Sequence, residues 1–141
     1  MATLTVTTLD DEAFDGSETT GAPDGAGLSL REALELASGG DTITFDGTLS
    51  GGTLHLALGE ISIAKTLTIV GDLDNDGVAD ITISGDANGD DAVIVNGAGN
   101  TITDAENNTN TADNSRVFNI TSGSVEFDGL VITGGYASGF E

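Results

Sequence analysis

Short runs of alternating apolar and polar residues, separated by glycine-containing bends, constrain the fold of this chain most strongly. Each run has a period of two, which predicts a short β-strand with one buried face. Most connections between the runs are not tight two-residue Asn-Gly or Asp-Gly turns of the kind that marks hairpins. This pattern predicts an all-β fold built as a sandwich, a barrel or a solenoid. The apolar positions of the runs are Leu4 and Val6, Ile43 and Phe45, Leu54 and Leu56, Ile61 and Ile63, Leu67 and Ile69, Ile81 and Ile83, Val125 and Phe127, and Leu130 and Ile132, and Val117 and Ile120 bracket a further run.

Single bends near the end of the chain favour the solenoid. Gly123-Ser124 and Asp128-Gly129 separate consecutive short runs between Arg116 and Thr133, as in one coil of a right-handed parallel β-helix with three strands per coil. We therefore predict a right-handed parallel β-helix with a short N-terminal capping α-helix, and keep a sandwich as the alternative. Residues 1–53 form the capping segment and residues 54–141 the coils, with a polar loop at 104–115.

One segment, residues 28–38, has helical rather than strand periodicity. Ser29 and Glu32 have the spacing of a capping box. Apolar residues at helical spacing form a single stripe, and Gly39-Gly40 follows the segment. A helix this short needs a packing partner, and the open end of a first coil offers one. The stripe consists of Leu30, Ala33, Leu34 and Ala37.

The same segment carries a family resemblance. The stretch Gly27-Leu28-Ser29-Leu30-Arg31-Glu32-Ala33-Leu34, followed by Gly40-Asp41-Thr42-Ile43-Thr44-Phe45, resembles the CSLREA domain, with Leu28 where the family name has Cys. Residues 59–71 and 125–135 are similar to the coils that follow that domain. The resemblance implies an N-terminal cap of a secreted right-handed β-helix surface protein. It implies no reaction.

The clearest chemical motif is Asp72-Leu73-Asp74-Asn75-Asp76-Gly77-Val78-Ala79-Asp80. Carboxylates at positions 1, 3 and 5 can converge on one cation, and Gly77 permits the sharp turn. The position-7 carbonyl belongs to Val78, and Asp80 stands at position 9. Hard oxygen ligands without His or Cys predict Ca²⁺, with Mg²⁺ as the weaker fit. Position 12 is Ile83, so the loop lacks the glutamate of an EF-hand. The predicted ligands are Asp72, Asp74, Asp76, Val78 and Asp80.

The overall charge excludes some partners and leaves others open. With 24 acidic and 3 basic residues, the net charge of −21 argues against binding to nucleic acid or to an anionic membrane surface. No apolar run approaches the length of a membrane span. The acidic segments at 10–16 and 86–91 are interpreted first as solvated turns. The absence of cysteine excludes disulfides and thiolate metal sites.

An enzyme of the polysaccharide-degrading β-helix type is the alternative from another class. Such an enzyme needs a basic group or a defined pair of carboxylates. The basic candidates are scattered along the sequence. Arg31 has the spacing to pair with Glu35, Lys65 falls in a bend expected to be solvated, and Arg116 and His55 belong to separate runs. No catalytic motif is present, so we predict that the chain is not an enzyme.

We therefore predict a non-enzymatic, calcium-stabilised structural module of a secreted or cell-surface protein, serving adhesion, matrix or filament assembly. The first residues show no basic segment followed by an apolar stretch, so no secretion signal is visible. A coil-like segment stands near the end of the sequence with no capping helix after it. Head-to-tail self-association through an uncapped coil is thus a third hypothesis, and an extracellular carbohydrate or surface protein is a further partner to expect.

Overall fold

The computed structural model describes residues 1–16, 27–86, 93–95, 101–103 and 116–134. In this part of the chain, short strands predominate and one α-helix is present. The polar loop at 104–115 and most of the acidic segment at 86–91 lie outside the described residues. The elements in chain order are β1 (Thr3–Val6), α1 (Leu30–Leu36), β2 (Thr42–Phe45), a 3₁₀ turn (Gly47–Leu49), β3 (Thr53–His55), β4 (Ile61–Ile63), β5 (Leu67–Val70), β6 (Ile81–Ser84), β7 (Val93–Val95), β8 (Thr101–Thr103), β9 (Phe118–Ile120), β10 (Val125–Asp128) and β11 (Leu130–Thr133).

Most of these strands pair in parallel. One sheet has the order β1-β2-β5-β10, a second has the order β11-β6-β3, and β4 pairs with β9. Strands β4, β5 and β6 therefore pair with β9, β10 and β11 in the same chain order. The predicted runs thus form strands, and the described residues fold mostly as strands in parallel sheets together with one helix.

Strands β7 and β8 differ from the rest because they pair antiparallel, with Ile94 opposite Ile102. Neither strand is among the runs predicted from the sequence. The signal was present, since Asn96-Gly97 stands between Val93–Val95 and Thr101–Thr103, and Asn-Gly marks hairpins.

The apolar positions of the early strands form one core. Because side chains alternate across a strand, the residues at every second position point to the same side and pack together. Helix α1 adds its apolar stripe to this cluster, as predicted. The buried apolar residues are Leu4, Val6, Leu28, Leu30, Ala33, Leu34, Ala37, Ile43, Phe45, Leu54, Leu56, Ile61, Ile63, Leu67, Ile69, Ile81, Ile83 and Val117.

The capping box of helix α1 is confirmed, whereas the helix is shorter than the predicted span of 28–38. The Ser29 hydroxyl accepts from the Glu32 N–H over 3.2 Å, and the Glu32 carboxylate accepts from the Ser29 N–H over 2.6 Å. This arrangement leaves Ser29 extended, so the helix begins at Leu30. It ends at Leu36 because Ala37 is extended and the Ser38 N–H donates to the Asp41 carboxylate over 2.8 Å.

Asp41 links the residues just before β1 to the segment that follows helix α1. Its carboxylate accepts from the Ala2 N–H over 2.7 Å as well as from Ser38, although Asp41 itself is buried. These backbone donors, Ala2 foremost, hold the pKa of Asp41 below its ordinary value and outweigh the effect of burial. An acidic side chain thereby satisfies backbone groups just before β1 and just after helix α1.

Candidate metal centre

The acidic loop connects β5 to β6 and is fixed at its base by backbone hydrogen bonds. The Asp80 N–H donates to the Gly71 carbonyl over 2.9 Å, which closes the loop. The Gly71 N–H donates to the Asp128 carbonyl and the Gly51 N–H to the Asp80 carbonyl, each over 2.7 Å. The base of the loop is therefore held by the β10–β11 bend on one side and by the segment before β3 on the other.

The position of Gly71 requires glycine, because a Cβ atom there would overlap the Leu130 side chain and the Gly129 carbonyl. Gly71 thus lets the base of the loop approach the β10–β11 bend closely.

Asp72 organises the turn from its first position. Its two carboxylate oxygens accept from the Asp76 N–H over 3.2 Å and from the Gly77 N–H over 3.0 Å. Asn75 and Gly77 have φ angles of 60° and 83°, a region open to glycine and tolerated by asparagine. These residues fold the backbone back on itself, so the carboxylates on either side of the turn come together.

Three of the five predicted ligands meet in this loop. Carboxylate oxygens of Asp72, Asp74 and Asp80 all lie within 4.8 Å of one another. Asp72 and Asp80 are half-buried, and Asp74 is exposed. Such a group could hold a metal ion, with water completing the coordination.

The other two predicted ligands lie outside this group. The Asp76 carboxylate accepts from the Val78 N–H over 2.8 Å, so it caps its own turn. Val78 is exposed, and its carbonyl joins no hydrogen bond among the described residues.

The pKa values of Asp74 and Asp80 are shifted in opposite directions. The Asp76 N–H lowers the pKa of Asp74, but loss of water and the negative charges of Asp76, Asp80 and Asp72 outweigh it, and the pKa lies above its ordinary value. Hydrogen bonds from the Leu73 N–H and the Ser50 hydroxyl lower the pKa of Asp80. A cation between these groups would relieve the repulsion that acts on Asp74.

Ser50 is a contributor that sequence reasoning missed. Its hydroxyl donates to one Asp80 oxygen over 2.9 Å, and the Leu73 N–H donates to the other over 2.7 Å. These bonds fix the orientation of the Asp80 carboxylate. No local pattern connects Ser50 with Asp80, because the two are brought together only by the pairing of β3 with β6.

The other acidic segments serve the structure where they are described. The buried Asp11 carboxylate binds Arg31 at Nε over 2.8 Å and at Nη2 over 2.9 Å, and it accepts from the Leu58 N–H. Asp86 is buried, and its carbonyl lies 2.9 Å from Nδ1 of His55. Neither residue belongs to the group of three.

Two basic residues differ from their sequence interpretation. Arg31 pairs with Asp11 rather than with Glu35, because the N-terminal segment lies against the helix. Lys65 is not a solvated bend residue, since its ammonium group donates to the carbonyls of Leu34 and Ala37 over 2.7 Å and of Glu35 over 3.0 Å. Lys65 thereby satisfies the carbonyl end of helix α1.

Comparison of this chain with protein-family models, with curated proteins and with solved structures finds no match. Among the described residues, no helix has the length and apolar character needed to cross a membrane.

Proposed function

We propose that this chain is a calcium-stabilised, non-enzymatic structural module: the capped N-terminal part of a right-handed parallel β-helix in a secreted or cell-surface protein. The observation that carries the proposal is the convergence of Asp72, Asp74 and Asp80 in a loop tied to strands on both sides. An ion bound there holds the carboxylates of the β5–β6 loop together and stabilises the pairing of the strands next to the loop.

The order of strand pairing supports the β-helix. Three successive strands, β4 to β6, pair in register with three later successive strands, β9 to β11, and all these pairs are parallel. Strands β2 and β3 add to β5 and β6 from the opposite side. A sandwich is built from antiparallel sheets and lacks this repeated order.

Helix α1 supports the role of an N-terminal cap. Its apolar stripe packs on the core beside β1, which is the edge strand of its sheet. The resemblance of residues 27–45 to the CSLREA domain agrees with that role, and a secreted surface protein with an adhesive, matrix or filament function follows from the resemblance.

The chemistry of the acidic group favours Ca²⁺ over Mg²⁺. Its ligands are carboxylate oxygens in an irregular and partly exposed loop. Ca²⁺ accepts flexible coordination by about six to eight oxygens, whereas Mg²⁺ demands near-ideal octahedral geometry. Partial exposure of the loop leaves room for water ligands.

The cations of the chain support a structural rather than a catalytic role. Arg31 and Lys65 are engaged with a carboxylate and with backbone carbonyls, and Arg116 pairs with Glu60 over 2.7 Å. Side chains engaged in this way hold structural groups in place and are poorly placed to act on a substrate.

Self-assembly is a second candidate, favoured by one observation. Ile120, Val131 and Ile132 are large apolar side chains about half exposed, and they lie on the last strands that the structure describes. Strand edges with exposed apolar side chains are suited to pairing with a further strand.

The decisive experiment is a Ca²⁺ titration by calorimetry together with thermal unfolding in excess Ca²⁺ and in excess chelator. At a free Ca²⁺ concentration about 100 times Kd, binding adds about 2.7 kcal/mol to the free energy of unfolding. Asp72→Asn should abolish this gain. Glu126→Gln is the matched control, because it removes one exposed acidic charge from β10.

Equal unfolding temperatures in Ca²⁺ and chelator would refute the metal site. Particle size measured in both conditions separates a calcium-stabilised monomer from calcium-dependent assembly.

A further inference from the structure

Strand β4 is paired along one edge only within the described part of the chain. Its ladder with β9 uses Ile61, whose N–H donates to Val117, and Ile63, whose carbonyl accepts from the Thr121 N–H. Because successive residues of a parallel strand bond to opposite sides, the Ser62 N–H and carbonyl point away from β9. No described residue bonds to either group. Strand β4 therefore presents one donor and one acceptor for main-chain pairing.

This free edge lies in a groove of about 570 Å³, here named the β4–α1 groove. Residues 60–65 form one side, Leu34 and Glu35 of helix α1 form another, and Ala13 and Phe14 complete it. The Phe14 side chain is 37% exposed, so it adds accessible apolar surface. The helix flanks the edge, which favours entry of a single strand over pairing with the edge of another sheet.

The charge of the groove is unlike that of the rest of the protein. Arg31 and Lys65 line it, and Arg116 pairs with Glu60 at its side, so all three Lys and Arg residues of the chain gather here. Arg31 is engaged with Asp11, and Lys65 is engaged with three carbonyls. These cations offset the local carboxylates, whereas every other formal side-chain charge of the chain is negative.

This distribution decides which ligand suits the groove. A cationic peptide is attracted to acidic surface all over the protein, and an anionic peptide is repelled by it. An uncharged peptide is attracted by main-chain hydrogen bonds and apolar contact, which the groove offers together.

We propose that the β4–α1 groove binds an uncharged, extended peptide segment of a partner protein, which adds as a strand beside β4. The peptide exchanges main-chain hydrogen bonds with Ser62, and every second side chain packs towards Phe14 and Leu34. The proposal is independent of the acidic loop, since none of the groove residues belongs to that loop.

The test uses the full chain and a capped, fluorescein-labelled peptide of alternating threonine and valine, with binding followed by fluorescence anisotropy. Binding should persist when the salt concentration is raised, because no ion pair contributes. Two further peptides carry N-methyl groups on every second amide, one on the threonine amides and the other on the valine amides. The peptide whose N-methyl groups replace the N–H groups that pair with β4 should bind more weakly than the other.

Variants of Ser62 provide a matched pair. Ser62→Pro removes the outward N–H, a change tolerated at edge positions, and should weaken binding about tenfold or more. Ser62→Ala keeps the N–H and should bind like the wild type. Phe14→Ala should also weaken binding, and because Phe14 is partly exposed the variant should stay folded. Circular dichroism and thermal unfolding confirm the fold of each variant.

Three results would overturn the proposal. The first is no binding of the peptide to the wild type at about 1 mM, which corresponds to about −4.1 kcal/mol. The second is equal affinity of folded Ser62→Pro and Ser62→Ala. The third is a concentration-dependent dimer that Ser62→Pro abolishes, which would assign the groove to a second copy of the chain.

Discussion

Strands β5 and β6 and their register partners β10 and β11 share one sequence pattern but differ in burial. Ile83 of β6 is 0% exposed, whereas Ile132, its partner on β11, is 46% exposed. Strand β6 lies between β3 and β11, while β11 has a described neighbour on one side only. Alternation therefore determines which side of a strand a residue occupies, and the neighbouring strands determine whether that side is buried.

The largest expected effect tests this contrast directly. Ile83→Ala should lower the free energy of unfolding by about 3 kcal/mol, because it removes buried methyl groups and leaves a cavity between stacked strands. Ile132→Ala, the same change at the register partner, should cost less than about 1 kcal/mol because the side chain is already half exposed. Denaturant unfolding measures both. Equal losses of unfolding free energy would show that Ile132 is buried to the same extent as Ile83.

A second prediction compares Lys65, which precedes β5, with Arg116, which precedes β9. Lys65→Met should destabilise the protein by about 1–2 kcal/mol, since three carbonyls at the end of helix α1 lose a charged donor. Arg116→Met should cost about 0–1 kcal/mol, because its pair with Glu60 is exposed to solvent. Chemical denaturation of the two variants checks the difference, which is absent if Lys65 is solvated.

A third prediction uses pH to compare acidic groups. The folded pKa of Asp41 is lowered, so its contribution to stability is fully present above its unfolded value near 3.8. That contribution is lost as pH falls through the lower folded pKa. Asp41→Asn should therefore destabilise the protein at neutral pH, and the gap to the wild type should narrow below about pH 3.8.

Glu126→Gln on β10 is the control for this pH series, because it removes an exposed carboxylate. Its gap to the wild type measures the effect of removing one exposed surface charge. A gap for Asp41→Asn that stays constant from neutral pH to strong acid would contradict the role of its backbone donors.

The smallest expected effect concerns the acidic loop between β5 and β6, whose base is bonded to β10. Without metal, Asp74→Asn should raise the unfolding temperature slightly, because it removes a carboxylate repelled by Asp72, Asp76 and Asp80. In excess Ca²⁺ the sign should reverse, since the variant loses a ligand. Thermal unfolding in chelator and in Ca²⁺ gives both signs. A variant that is less stable in chelator would mean that Asp74 supports the turn by itself.

The spacing of acidic residues in the sequence predicted part of the candidate site. The D-x-D-x-D-G pattern placed the turn, and the structure brings Asp72, Asp74 and Asp80 together as that pattern indicates. Asp76 lies outside this group of three, and one of its carboxylate oxygens accepts from the Val78 N–H. The Ser50 contact on Asp80 had no sequence signal, since strand pairing creates it.

The sequence by itself determined the features whose partners lie within one turn or one strand. These are the alternating strands, the Ser29–Glu32 capping box with its apolar stripe, and the acidic turn, because steric and hydrogen-bonding preferences act over a few residues. The tertiary structure alone decided the pairing of Arg31 with Asp11 and of Lys65 with the helix carbonyls. Long side chains reach several partners at similar cost, so the register in which distant segments stack selects the one that forms.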